Sequence, residues 1–154
     1  MGTDRRSQER SETFLEFTFE AAHQVHPYSG LHGHSFRAVV YLKGKPDPTF
    51  GWTHNLYDVE PVLTKTKDLL NDSYLNDIAG LEVPTLENIA RWIWDRLDKE
   101  LSGLDRVIVR RGVDGAGEGC SYSGPALRET RSDVKHPSVA ALPIGERSRG
   151  RSAQ

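Results

Sequence analysis

With 154 residues, 36% of them hydrophobic, and a formal net charge of −2, the chain can bury the core of one domain and carries no basic excess to suggest a nucleic-acid partner. No apolar run approaches the roughly 18 residues of a membrane span, and the charged opening MGTDRRSQERSE lacks the apolar core of a signal peptide. A single cysteine, Cys120, excludes an intrachain disulfide and points to a reducing, cytoplasmic setting.

Residues 1–11 are polar and are expected to be disordered. The following TFLEFTFEAAH alternates, with Leu15, Phe17, Phe19 and Ala21 against Phe14, Glu16, Thr18 and Glu20, which predicts a half-buried strand. HPYSGLHG is a connecting loop by its Pro27, Ser29, Gly30 and Gly33. HSFRAVVYLKGK resumes strand character through Val39, Val40, Tyr41 and Leu42, and adjacency in sequence predicts an antiparallel pair. His32 and His34 stand two apart, so in a strand both imidazoles point to one side. His23 closes the preceding strand, and a hairpin would bring it alongside. Three imidazoles with an open fourth position form the ligand set of a catalytic zinc site. His26, between them, reads as a surface residue or a satisfied core one.

Pro46 to Asn55 is a loop with a tight turn near Pro48 to Gly51. From Asp58, a candidate N-cap, the apolar residues Val59, Val62, Leu63, Leu69 and Leu70 predict a helix with Pro61 in its first turn. Tyr74 to Pro84 reads as a connector. A second helix follows, with Thr85 as N-cap, Asn88 at the third helical position, and a stripe of Leu86, Ile89, Ala90, Ile93, Trp94, Leu97 and Leu101. Trp92 and Trp94 read as packing residues, and Gly103 stands where the helical region should stop. DRVIVRR is a short strand, GVDGAGEG a glycine-rich loop, and Cys120 to Tyr122 a last short strand. Residues 124–154 are polar and proline-broken and are expected to form a disordered tail, its Arg147, Arg149 and Arg151 solvated. The order is ββααββ, an α+β class with a four-stranded antiparallel sheet and two helices on one face, over residues 12–123.

Taken in order, AAH, LHGHSF, GW, YLND, PTLENIARWIWDRL and GCSY resemble the 6-pyruvoyltetrahydropterin synthase / 6-carboxytetrahydropterin synthase family. The resemblance implies the tunnelling fold, assembled as trimers that close a twelve-stranded barrel or as stacked hexamers, with active sites at subunit interfaces. It implies zinc on His23, His32 and His34, a small-molecule substrate, and lyase chemistry in which the metal acidifies a C–H bond beside a hydroxyl or carbonyl. Three positions depart from the family. Its catalytic cysteine, four residues before the first histidine of HGH, is replaced by Tyr28. Its Asp-His pair is replaced by Asn71 and Asp72. The acidic residue at the end of its third strand, which holds the pterin's guanidine-like edge, falls on Arg111 counted from VIV and on Asp114 counted back from GCSY. Tyr28, Asp72 and His26 are therefore the candidate proton carriers, and Arg111, Asp114 and Glu118 the candidate substrate contacts. The expectation is a zinc-dependent lyase or cyclase repurposed to a non-pterin substrate, by elimination, retro-aldol cleavage or amine–aldehyde ring closure. The alternatives are a 6-carboxytetrahydropterin synthase acting on dihydroneopterin triphosphate, and a non-catalytic metal-binding oligomer.

Overall fold

The computed structural model describes residues 10–112 and 117–126. Two long strands carry the architecture. β1 (Ser11–His23) and β2 (His32–Gly44) pair antiparallel along their whole length, from Ser11 opposite Gly44 to His23 opposite His32. Alternation decides what each face receives. Phe19 and Ala21 on β1 and Phe36, Ala38, Val40 and Leu42 on β2 point to one side and are buried, while Glu12, Glu16 and Glu20 point to the other.

Two helices cover the apolar side. α1 (Leu56–Leu70) buries Val59, Leu63, Thr66 and Leu70. It begins earlier than the sequence suggests, because Asn55 rather than Asp58 is the cap. The Asn55 side-chain oxygen accepts from the Tyr57 N–H at 3.2 Å, and its amide donates to Asp58 Oδ2 at 3.0 Å. Asp58 thus sits in the first turn, where its charge favours the helix N-terminus, and Pro61 falls in the second turn. α2 (Leu86–Leu97) starts as its sequence predicts, with Thr85 Oγ1 accepting from the Asn88 N–H. Its stripe of Ile89, Ala90, Ile93, Trp94 and Leu97 is buried against the sheet. Trp94 meets Tyr122 edge-on and Trp92 donates its indole N–H to the Ala79 carbonyl, so both tryptophans serve packing.

The sheet has five strands, not four. β3 (Ser73–Tyr74) runs parallel to β1 beside Ala21 and Ala22, and a single 3-10 turn, Leu75–Asp77, follows it. Two residues are too few to produce an alternating pattern, which is why the sequence shows only a connector there. β4 (Leu104–Arg111) lies antiparallel to β2, and β5 (Glu118–Tyr122) antiparallel to β4, giving the order β3-β1-β2-β4-β5. Gly103 introduces β4 at φ +72°. A side chain there would collide with the Lys43 carbonyl, so only glycine suits the position. At that same end, Lys43 and Arg106 both pair with Glu12 and Asp105. Among the described residues no helix is long and apolar enough to cross a membrane. The segments expected to be disordered lie almost wholly outside the described residues, as does Asp114.

Candidate metal centre and its surroundings

The register brings the three histidines to one point. His23 is opposite His32, and His34 is opposite Ala21, so all three share the face that the helices cover, at one end of the sheet. One ligand nitrogen from each can be chosen so that all lie within 4.8 Å of one another. His23 is 1% exposed and the other two are half-buried.

Backbone carbonyls fix two of the rings. His23 Nδ1 lies 2.9 Å from the Pro84 carbonyl and His32 Nδ1 lies 2.7 Å from the Gly30 carbonyl. A carbonyl oxygen only accepts, so each Nδ1 carries the hydrogen, and each neutral ring turns an Nε2 lone pair inward. Those two Nε2 atoms stand 3.2 Å apart. Two neutral nitrogens with lone pairs facing at that distance repel each other unless a metal ion stands between them. Nitrogens bound to one tetrahedral zinc at about 2.0–2.1 Å would lie about 3.3 Å apart. His34 Nε2 is buried with no hydrogen-bond partner among the described residues. A buried nitrogen without a partner is costly in an ordinary protein interior, whereas here it completes a third ligand. The residues present therefore fit a metal ion.

The electrostatics agree with neutral, ligand-ready rings. Burial holds His23 below the usual histidine range, against a hydrogen bond to Pro84 that works the other way, and the charges of His32 and Arg111 lower it further. Burial also lowers His34, followed by Arg111, His32 and His23, with Glu118 opposing.

Arg111 and Glu118 join this face. Arg111 is opposite Phe36 on β2 and opposite Glu118 on β5, and Phe36 follows His34 by two residues. Arg111 Nε donates to Glu118 Oε1 at 2.7 Å. The candidate proton carriers are placed differently. Tyr28 is 90% exposed, in a turn where its N–H and that of Ser29 donate to the Val25 carbonyl. His26 is exposed in the same loop. Asp72 is exposed at the start of β3 with φ 54°, a left-handed conformation that aspartate tolerates better than most residues. Its N–H donates to the Glu20 carbonyl, while Asn71 Oδ1 accepts from the Glu20 N–H and Asn71 Nδ2 donates to Asp72 Oδ2. Asn71 thereby ties β1 to the start of β3. An open groove of about 660 Å³ is lined by Glu20, His34, Ser35, Asp72 and Tyr74, and its Glu20 and Ser35 side chains turn to the face of the sheet opposite the histidine rings. Within one chain, then, Arg111 and Glu118 lie on the histidine face, while Asp72, Tyr28 and His26 are exposed. The carbonyls of Pro84 and Gly30 are absent from the sequence reading, since a backbone acceptor leaves no residue-type signal.

The family described as 6-pyruvoyl tetrahydropterin synthase matches residues 12–123. The chain belongs to that family. Family members are lyases, and the histidine triad suits the metal ion they use. A 6-carboxy-5,6,7,8-tetrahydropterin synthase from Synechocystis is 41% identical over 106 residues, covering 62% of this chain and 82% of the relative. A dihydroneopterin monophosphate aldolase from Pyrococcus furiosus is 33% identical over 88 residues, covering 56% and 74%. The human 6-pyruvoyl tetrahydrobiopterin synthase is 36% identical over 78 residues, 46% of this chain and 51% of that one. The structure of Caenorhabditis elegans 6-pyruvoyl tetrahydropterin synthase superposes with a TM-score of 0.68 at 22% identity, covering 76% of this chain and 97% of the other, which establishes the shared tunnelling fold.

Proposed function

We propose that this member of the pterin-synthase family is a zinc-dependent lyase or cyclase that acts on a small molecule other than a pterin. Zinc held by His23, His32 and His34 would supply Lewis acidity, polarising a substrate hydroxyl or carbonyl oxygen. The chain's own groups then have three tasks. The carbonyls of Pro84 and Gly30 keep two imidazoles in the ligating tautomer. Asp72, the carboxylate just before the short strand that pairs with Ala21, itself opposite His34, is the first candidate to take the proton from the activated carbon. Tyr28 and His26 are exposed in the loop before HGH, where a homo-oligomer with sites between subunits would enclose them. Elimination, retro-aldol cleavage and ring closure of an amine onto an aldehyde all need this combination of a polarised oxygen and a proton acceptor.

The observation that carries the non-pterin reading is Arg111. It ends β4 on the histidine face, at one of the two positions, the other being Asp114, where the resemblance leads one to expect an acidic pterin anchor. A guanidinium offers donors only, and the guanidine-like edge of a pterin also presents donors. A second reading, 6-carboxytetrahydropterin synthase, draws on the identity to the Synechocystis enzyme and on Glu118, whose carboxylate shares that face. Incubation of the zinc-loaded protein with dihydroneopterin triphosphate separates the two. The first expects no 6-carboxy or 6-pyruvoyl product, and ready turnover would replace it with the second.

A further inference from the structure

The cation beside the triad has an electrostatic consequence. Arg111 lies on the histidine face and its charge is felt at both His23 and His34. A guanidinium beside a site built for a divalent ion is repelled by that ion, and Glu118 offsets only part of the repulsion because it is 63% exposed. An anion between the two cations would reverse the sign of the interaction. The hydrogen bonds leave donors free for one. Glu118 takes the Nε–H of Arg111, and among the described residues no acceptor engages its two terminal nitrogens. Those nitrogens form the fork that pairs with a carboxylate or phosphate through two parallel bonds. The cross-strand pairing with Glu118 holds the guanidinium, so less side-chain freedom is lost when an anion arrives.

We infer that Arg111, positioned by Glu118, is an oxyanion clamp, and that the substrate carries a carboxylate or phosphate close to the oxygen that the histidine-held metal would polarise. The inference rests on the lyase reading above and deepens it by naming the substrate class. The clamp also explains why a carboxylate and a guanidinium stand together where a lone carboxylate would serve a pterin.

Cobalt(II)-substituted protein gives a visible spectrum that reports on the metal, and calorimetry reports binding independently of it. Glycolate, hydroxymethylphosphonate and neutral ethylene glycol are titrated into the wild type and into Arg111→Met, Arg111→Lys and Glu118→Gln. At least one of the two anions is expected to bind roughly tenfold or more tightly than ethylene glycol to the wild type, and which one it is distinguishes a carboxylate from a phosphoryl substrate. Arg111→Met should abolish that preference. Arg111→Lys should retain part of it, since charge persists without the fork. Glu118→Gln should weaken it less than Arg111→Met does. An anion preference that survives intact in Arg111→Met belongs to the metal alone and overturns the clamp. So does equal affinity for all three probes in the wild type. If the wild type fails to take up cobalt, the lyase reading falls, and calorimetry on the metal-free protein still decides whether Arg111 selects anions.

Discussion

At the residue scale, the tautomers of His23 and His32 matter more than the count of histidines. A carbonyl on each Nδ1 turns two lone pairs toward each other at 3.2 Å, and His34 adds a buried nitrogen with no partner among the described residues. This much was legible from the sequence in outline, because the strand period of two places His32 and His34 on one side and the hairpin delivers His23. The placement of the candidate proton carriers was not legible. Tyr28, His26 and Asp72 sit in a loop or at a strand start, where no periodicity fixes direction, and the structure leaves all three exposed. A pH dependence follows from the buried pair. His23 and His34 titrate below their ordinary value when folded, so on acidification the unfolded chain takes up protons near pH 6.5 that the folded chain refuses. The stability of the metal-free protein should therefore hold above about pH 7 and fall as pH drops from about 6.5 toward 5. Scanning calorimetry after chelation reads this as a declining Tm; a Tm flat across that range would mean that the histidines are not held neutral by burial.

At the element scale, the site depends on where α2 begins. Pro84, whose carbonyl orients His23, immediately precedes the Thr85 cap, so the helix start and the ligand orientation share one stretch of backbone. Thr85→Ala should cost about 1 kcal/mol of stability and should also loosen metal binding, although Thr85 is not itself a ligand. Denaturant titration alongside zinc competition with a chromophoric chelator measures both. An unchanged zinc affinity would separate the cap from the site. The contrast with α1 is instructive. Thr85, Asn88 and the apolar stripe of α2 all agree, so its start was readable. At α1 two polar residues, Asn55 and Asp58, compete for the cap, and the hydrogen bond from Asn55 to Asp58 places them three apart in one capping arrangement. β3 was unreadable because two residues make no pattern, and the adjoining contact, from the Glu20 N–H to the Asn71 side chain, runs across the chain.

At the scale of the whole molecule, the sheet leaves two edges. β3 pairs with β1 only beside Ala21 and Ala22, leaving most of that side of β1 unpaired, and β5 pairs on one side alone. Exposed edges of this length invite pairing with another chain, and closing them is the proposed role of homo-oligomerisation, which would also surround the exposed Tyr28, His26 and Asp72. Arg111 and Glu118 need no neighbour to reach the histidine face, so the metal-ligating and anion-binding halves of the proposed site belong to one chain while its proton carriers await enclosure. The family and the fold were readable from ordered motifs spread over the domain. The substrate was not, because it depends on a few exchanged residues at the site. The most direct measurement is a native mass spectrum of the wild type and of His34→Ala. An assembly of three or six chains carrying one zinc per chain, with the zinc lost and the assembly kept in the variant, is the predicted result. A zinc-free wild type from zinc-replete cells, or full zinc occupancy in His34→Ala, would contradict a metal centre built on the three histidines.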